Sequence, residues 1–337
     1  MKKQKTQTED FVNTFQLLEA KLRKRLLYSP NYREVEQQYH SLLRQIRIYE
    51  RDHHQGGRTE TRLRYYSAFC SLSLAKCQRA LKNTSGEACS LLSAGRQYLD
   101  EHFDTEERGT PNMEESYNIA LQCFQLTCDI YLAAGKRQLA ACVYIELATL
   151  LQAMGRTQEG SCFFLQAAGL QQEHSPLNAI DSLLASVSCC LTHRDYKECC
   201  DVLQQIVNLC FLAISPHRVT NSPSEPIMLS CYTNWIISSR ITLILLKTLQ
   251  RDFQGDDVGG IQNLFVQLAE TGELSYRHDF APEPEETVML LQDFVKGSQL
   301  RNLELVRSIL PSMSLFTSPL QGRILEMIVD DLALDEM

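Results

Sequence analysis

Five residues of this chain have the types and the closeness to do chemistry together: Cys189, Cys190, His193, Cys199 and Cys200. Cys189 and His193 are four apart, so on a helix they share a face, and the second Cys pair follows a short turn. Thiolates and an imidazole are ligands that zinc takes, and an ion bridging the two pairs is the chemistry such a set could support. The spacing matches none of the usual zinc modules, however. Cys199 and Cys200 also fall where two sister segments have Ala88-Cys89 and Gly160-Ser161. Small residues there would let a neighbouring helix approach closely, and free cysteine packs as a small hydrophobe. Packing is the reading the sequence favours, so no metal and no other cofactor is expected. Thirteen cysteines, an odd number behind the polar opening MKKQKTQTED, also speak against a disulfide framework and a secretory signal.

No other constellation points to catalysis. GxSxG, GxxxxGK[ST], HExxH and a strand-borne GxGxxG are missing. Gly255 to Gly260 (GDDVGG) is glycine-rich, but its two aspartates would repel a phosphate, and it reads as a linker. His53 and His54 lie in the polar segment ERDHHQGGRTE, which reads as a solvated loop. The expectation is a protein that binds rather than an enzyme.

The elements that must position these residues repeat. SGEACSLLSAGRQYL from Ser85, TQEGSCFFLQAAGLQ from Thr157 and DYKECCDVLQQIVNL from Asp195 each open with a turn residue. A glutamate follows (Glu87, Glu159, Glu198), then small residues, then a bulky apolar pair. A looser copy starts at Gly135. Such self-similarity marks stacked helical hairpins, each burying its apolar face only against its neighbours. The expected fold class is therefore all-α, a tetratricopeptide-like α-solenoid of stacked antiparallel helix pairs. Apolar periodicity and breakers predict helices near 9–28, 31–50, 62–82, 85–102, 114–134, 137–153, 157–172, 176–192 and 195–213. Further helices are expected near 228–250, 258–271, 285–297 and 299–310, with a last one opening at Ser318-Pro319. The chain divides on this reading into a flexible segment 1–8, a helical array 9–212, a Pro/Ser-rich loop 213–228 and a second array 229–337 with an acidic end.

Charge is unevenly spread. Residues 1–64 hold 14 Lys+Arg against 8 Asp+Glu, and residues 252–337 hold 5 against 16, within a net charge of -8. The overall acidity argues against nucleic acid as a ligand. The most apolar stretch, Ile227 to Leu249, has Arg240 near its middle, and a central arginine costs a spanning helix roughly 2.5–3.5 kcal/mol. A buried helix fits better than a membrane span. Two charged groups are candidate partner contacts. One is the basic run Lys21 to Arg25 (Lys21, Lys24, Arg25), on a helix whose apolar stripe is Phe11, Phe15, Leu18, Leu22 and Leu26; it doubles as a candidate nuclear import signal. The other is the acidic end Asp330, Asp331, Asp335 and Glu336, whose charges oppose the dipole of the final helix.

Several segments resemble a known family. DFVNTFQLLEAKLRKRLLYSPNYREVEQQY from Asp10, AKCQRAL from Ala75, and GEA from Gly86 match it in order. So do IELATLLQAMG from Ile145, FLQAAGLQ from Phe164, and RDY from Arg194. Together they resemble the huntingtin-associated proteins of the factor VIII intron 22 family. A short Lys/Gln opening replaces a Gly/Ala-rich extension, the proline-rich insert shrinks to the Ala213–Met228 loop, and a polar stretch enters at Arg51 to Arg62. The chain looks like a diverged, invertebrate member. The resemblance implies a tetratricopeptide-like solenoid that docks one to one between the HEAT-repeat domains of huntingtin. It also implies a link to early endosomes and vesicle motility through a Rab-type small GTPase. With the polar opening and the basic run Lys21 to Arg25, the expected localisation is cytoplasmic, with early endosomes and the nucleus. The alternative is a generic tetratricopeptide adaptor for short peptide tails. That reading needs a Lys/Arg- and Asn-lined groove, and the middle of the chain supplies few cations at repeat spacing.

Overall fold

The computed structural model describes residues 2–23, 30–52, 60–107, 109, 114–214, 225–251, 260–274 and 284–335. Among them are fourteen α-helices and no strand. In chain order these are α1 (Lys2–Leu22), α2 (Tyr32–Asp52), α3 (Glu60–Ala80), α4 (Thr84–Glu107), α5 (Glu115–Ala133), α6 (Arg137–Ala153) and α7 (Thr157–Gln171). They continue as α8 (Pro176–Thr192), α9 (Tyr196–Ile214), α10 (Glu225–Leu249), α11 (Ile261–Leu274), α12 (Pro284–Gln299), α13 (Leu303–Ser314) and α14 (Pro319–Asp335). The chain falls into two compact units, Met1–Leu147 and Ala148–Met337. That division cuts α6, whereas the composition of the sequence drew its break at 213–228. Of that loop, 215–224 lies outside the described residues, as do His53, His54 and Gly255.

Five turns are built alike. Lys82, Gly135, Gly155, Arg194 and Arg301 each follow the end of a helix with a positive φ, between 52° and 77°. In each turn the N–H of that residue bonds three residues back, and the next N–H bonds five back. Examples are Arg194 to Leu191 (3.3 Å) with Asp195 to Cys190 (3.0 Å), and Arg301 to Ser298 (3.2 Å) with Asn302 to Gly297 (2.9 Å). This left-handed closure satisfies the last carbonyls of the helix. Where the left-handed residue is Lys or Arg, an Asn or Asp follows and caps the next helix. Asn83, Asp195 and Asn302 accept from the N–H of Gly86, Glu198 and Leu305 at 3.1, 3.0 and 3.0 Å.

In the first unit α1 packs on α2 and α3, α3 on α2 and α4, and α4 on α5. An aromatic chain fills the interior: Phe69 meets Tyr65 with ring centroids 4.8 Å apart, and both contact Tyr98 edge-on. Gly95 of α4 sits against Phe124 of α5, where an added Cβ would stand 2.9 Å from the ring. The second unit stacks α7, α8 and α9 in order. There α10 breaks the pattern by touching α9, α11, α12 and α14. Its stretch 239–246 is buried on every side, as a helix surrounded by others must be. Among the described residues no helix is long and apolar enough to cross a membrane. Arg240 is buried in α10 and donates to the Gln267 carbonyl and the Thr271 hydroxyl of α11, with its guanidinium 5.7 Å from the centre of the Phe211 ring.

The helices predicted from periodicity occur, with differences at their ends. Helix α1 reaches back to Lys2 through the polar opening. Helix α13 runs on through Pro311 to Ser314, beyond the stop expected before a proline. The loss there is confined to the last turns, where the ring removes one donor.

Lys82→Gly should stabilise the protein by about 0.5–1 kcal/mol, because glycine escapes the left-handed penalty but gains freedom in the unfolded chain. Asn302→Ala should cost about 1 kcal/mol through loss of the cap. Urea denaturation measures both, and opposite signs would show that the closures are not what holds these turns.

Candidate functional site

The glutamate repeated at the helix starts has a role that spacing alone did not show: Glu87 and Glu198 reach back to the preceding helix, and Glu159 pairs with the residue that caps its own. Glu87 pairs with Arg79 at 2.5 Å and Glu159 with Arg156 at 3.3 Å. Glu198 instead accepts from the Cys190 thiol at 3.3 Å, with His193 Nε2 4.0 Å away. The small residue after each glutamate is buried, namely Ala88, Gly160 and Cys199. A Cβ on Gly160 would stand 3.1 Å from the Ala148 carbonyl, so close helix approach is real at this position. The second small position is less uniform: Ser161 is buried, Cys200 half-buried and Cys89 exposed.

The cysteine set therefore splits. Cys189, Cys190 and Cys199 are buried, and Cys199 Sγ lies 3.7 Å from the Val187 carbonyl, as a packed thiol would. Cys190, His193 and Glu198 come together, while Cys189, adjacent in sequence, does not join them. Burial pushes the thiols of Cys70, Cys123, Cys128 and Cys210 up to about 12, and those of Cys77 and Cys189 up to about 11. Thiols held neutral in this way are poor nucleophiles.

The acidic end is not bare. Arg251, which follows α10, places Nη2 2.7 Å from Asp331 and 2.5 Å from Asp335 of α14, and Arg301 stands 3.8 Å from Asp335. These ion pairs offset the charge that opposes the helix dipole. Asp330 is exposed and has no ion-pair partner among the described residues. Glu336 lies outside them. At the other end Lys21 folds onto α2, donating to Gln38 at 2.8 Å with Glu34 at 3.9 Å. Lys24 and Arg25 lie outside the described residues.

Two further surfaces were not legible in the sequence. A groove of about 610 Å³ between α1 and α3 is lined by Phe15, Glu19, Arg23, Phe69, Ser73 and Lys76 among others. Its carboxylate, Glu19, accepts from the hydroxyls of Tyr39 (2.9 Å) and Ser73, so it is held rather than offered. Helices α11 to α14 and the turns after α12 and α13 carry exposed Val266, Met289, Leu300, Leu305, Leu315 and Leu334, with Leu315 87% exposed. Where such side chains adjoin, they suit a surface that another protein covers.

No family model matches the chain. Over 189 residues it is 32% identical to the 40-kDa huntingtin-associated protein of Rattus norvegicus, and equally to that of Mus musculus. The chain is a diverged relative of those proteins. The match takes in 56% of this chain and spans about half, 46%, of the relatives' length. Among solved structures, a circular tandem repeat protein with novel repeat topology and enhanced subunit contact surfaces superposes over 99% of this chain and 80% of its own. The TM-score is 0.50 and the identity 13%. That likeness shows the all-α, tandem-repeat fold and nothing of function.

Two measurements check the thiol assignment. Under native conditions a thiol reagent should label exposed Cys89 and Cys142 well before Cys70, Cys123, Cys128 or Cys210, and rapid labelling of the buried set would overturn it. The raised thiols favour the neutral form in the folded state, while unfolded thiols ionise near pH 9. Their contribution is thus complete below about pH 9 and lost as pH climbs toward 11–12, by at most about 1.4 kcal/mol per thiol per unit. Under reductant the urea midpoint should hold steady up to about pH 8.5 and fall above it.

Proposed function

We propose that the chain is a non-catalytic binding partner and stabilising subunit of huntingtin. One observation carries this reading: 32% identity over 189 residues to proteins that bear huntingtin association in their name. The tandem helical fold supports it, since arrays of this kind present extended surface. So do the exposed apolar side chains of α11 to α14.

In its finer form the proposal has one chain docking between the HEAT-repeat domains of one huntingtin. Apolar side chains of α11 to α14 fill a groove there, and Asp330 faces a basic surface. An interface of obligate type buries about 2,000–5,000 Å². A cytoplasmic place, with recruitment to early endosomes through a Rab-type GTPase and a nuclear pool directed by Lys21 to Arg25, completes the reading.

Affinity purification from the source cells, with protein identification, tests the core of it. Huntingtin should be recovered at equal stoichiometry; a preparation that instead carries other complexes through their peptide tails would sink the proposal. Asp330→Lys should weaken the complex about fivefold to tenfold, mainly by slowing association. Unchanged kinetics would remove the acidic end from the contact.

A further inference from the structure

We propose that Cys190, His193 and Glu198 form a binding site for a thiophilic divalent cation, zinc above all, at the turn joining α8 to α9. Cys190 lies in the last turn of α8, His193 is the residue that ends it, and Glu198 lies in the first turn of α9. One donor atom from each lies within 4.8 Å of the other two. Two of the separations are 3.3 Å, from Cys190 Sγ to Glu198 Oε2, and 4.0 Å, from His193 Nε2 to the same oxygen. Ligand atoms around a tetrahedral zinc stand roughly 3.3–3.8 Å apart, given its usual bond lengths. Small side-chain rotations would let all three reach one ion. The backbone already holds the spacing, through the left-handed closure at Arg194 and the Asp195 cap on the N–H of Glu198.

A second observation is the histidine itself. Its side chain is 20% exposed, yet both ring nitrogens are shielded from solvent and neither has a hydrogen-bond partner. A buried polar group left in that state calls for an explanation, and a bound ion is one. The sister turns supply a third. There the first-turn glutamate faces an arginine, Arg79 or Arg156, whereas Glu198 faces a thiol and an imidazole. Arg194 and Lys197 lie in this turn, yet among the described residues neither pairs with Glu198, and a metal ion would supply the cation that the carboxylate faces in the sister turns.

The sulfur sits among polar groups rather than in a purely apolar pocket. Ser161 Oγ of α7 lies 3.1 Å from it, beside the Glu198 carboxylate. Glu198 is 33% exposed, which leaves a way in from solvent. Thiolate, imidazole and carboxylate together select zinc or cobalt(II) over magnesium or calcium. Three protein ligands leave the fourth position to water. A bound ion would staple α8 to α9, and this holds or fails independently of any huntingtin contact.

Cobalt(II) titrated into the untagged, reduced full chain tests the site. One equivalent should bind with a thiolate-to-cobalt charge-transfer band and intense tetrahedral bands, zinc should displace it, and thermal unfolding should move up by several degrees. Cys190→Ser, His193→Gln and Glu198→Gln should each weaken binding at least tenfold, with Cys142→Ser unaffected. The wild-type spectrum needs no variant to fold: absence of the charge-transfer band overturns the proposal. So does binding that Glu198→Gln and His193→Gln leave unchanged, since it must then lie elsewhere.

Discussion

A backbone reversal two residues long organises this molecule. One residue takes the left-handed conformation, two N–H groups bond back into the finished helix, and the following residue starts the next helix. Because the reversal is short, the helix leaving it is antiparallel to the one entering and lies beside it. Apolar faces on the two helices can then meet only if their periodicities are in step. Neither helix would be stable alone, and most of the stability of each comes from the neighbour that the turn delivers. Two of the first-turn glutamates belong to the same device, since Glu87 and Glu198 reach back across their turns to the preceding helix, while Glu159 pairs with the cap residue of its own.

Helices were largely legible in the chain because their signals are local. Apolar residues at helical spacing, prolines at Pro176 and Pro319 and glycines at Gly135 and Gly155 mark starts and stops within a few residues. Turns closed by Lys82, Arg194 and Arg301 were harder to read, because side chains other than glycine seldom mark that conformation. Here the signal was the pair, a cation followed by Asn or Asp, and it becomes visible only when the three turns are compared. The acidic end was legible as charge but not as geometry. Arg251 lies 80 residues from Asp331, and nothing in the spacing pairs them. The cysteines divide in the same way: position in the repeat identified Cys199 as packed, but not that Cys190, His193 and Glu198 converge.

Function separates along the same line between inside and outside. The interior spends its thiols and tyrosines on packing, and burial holds many of them in their neutral forms. The surface carries exposed apolar side chains along α11 to α14, and the acidic residues at the end of α14 are partly neutralised from within. On the proposed function, a partner settling there would meet an exchange of counter-ions rather than an unscreened field. Shape and apolar area, not charge, would then set the strength of the complex.

Helix α10 also bears on how the chain is made. As the polypeptide leaves the ribosome, this long apolar segment emerges before α11, whose Gln267 and Thr271 later satisfy Arg240. Until then its guanidinium lacks those acceptors in a greasy stretch. That penalises insertion of this helix into a bilayer and leaves the nascent intermediate incomplete. Resistance to insertion and the order of assembly would thus share one side chain.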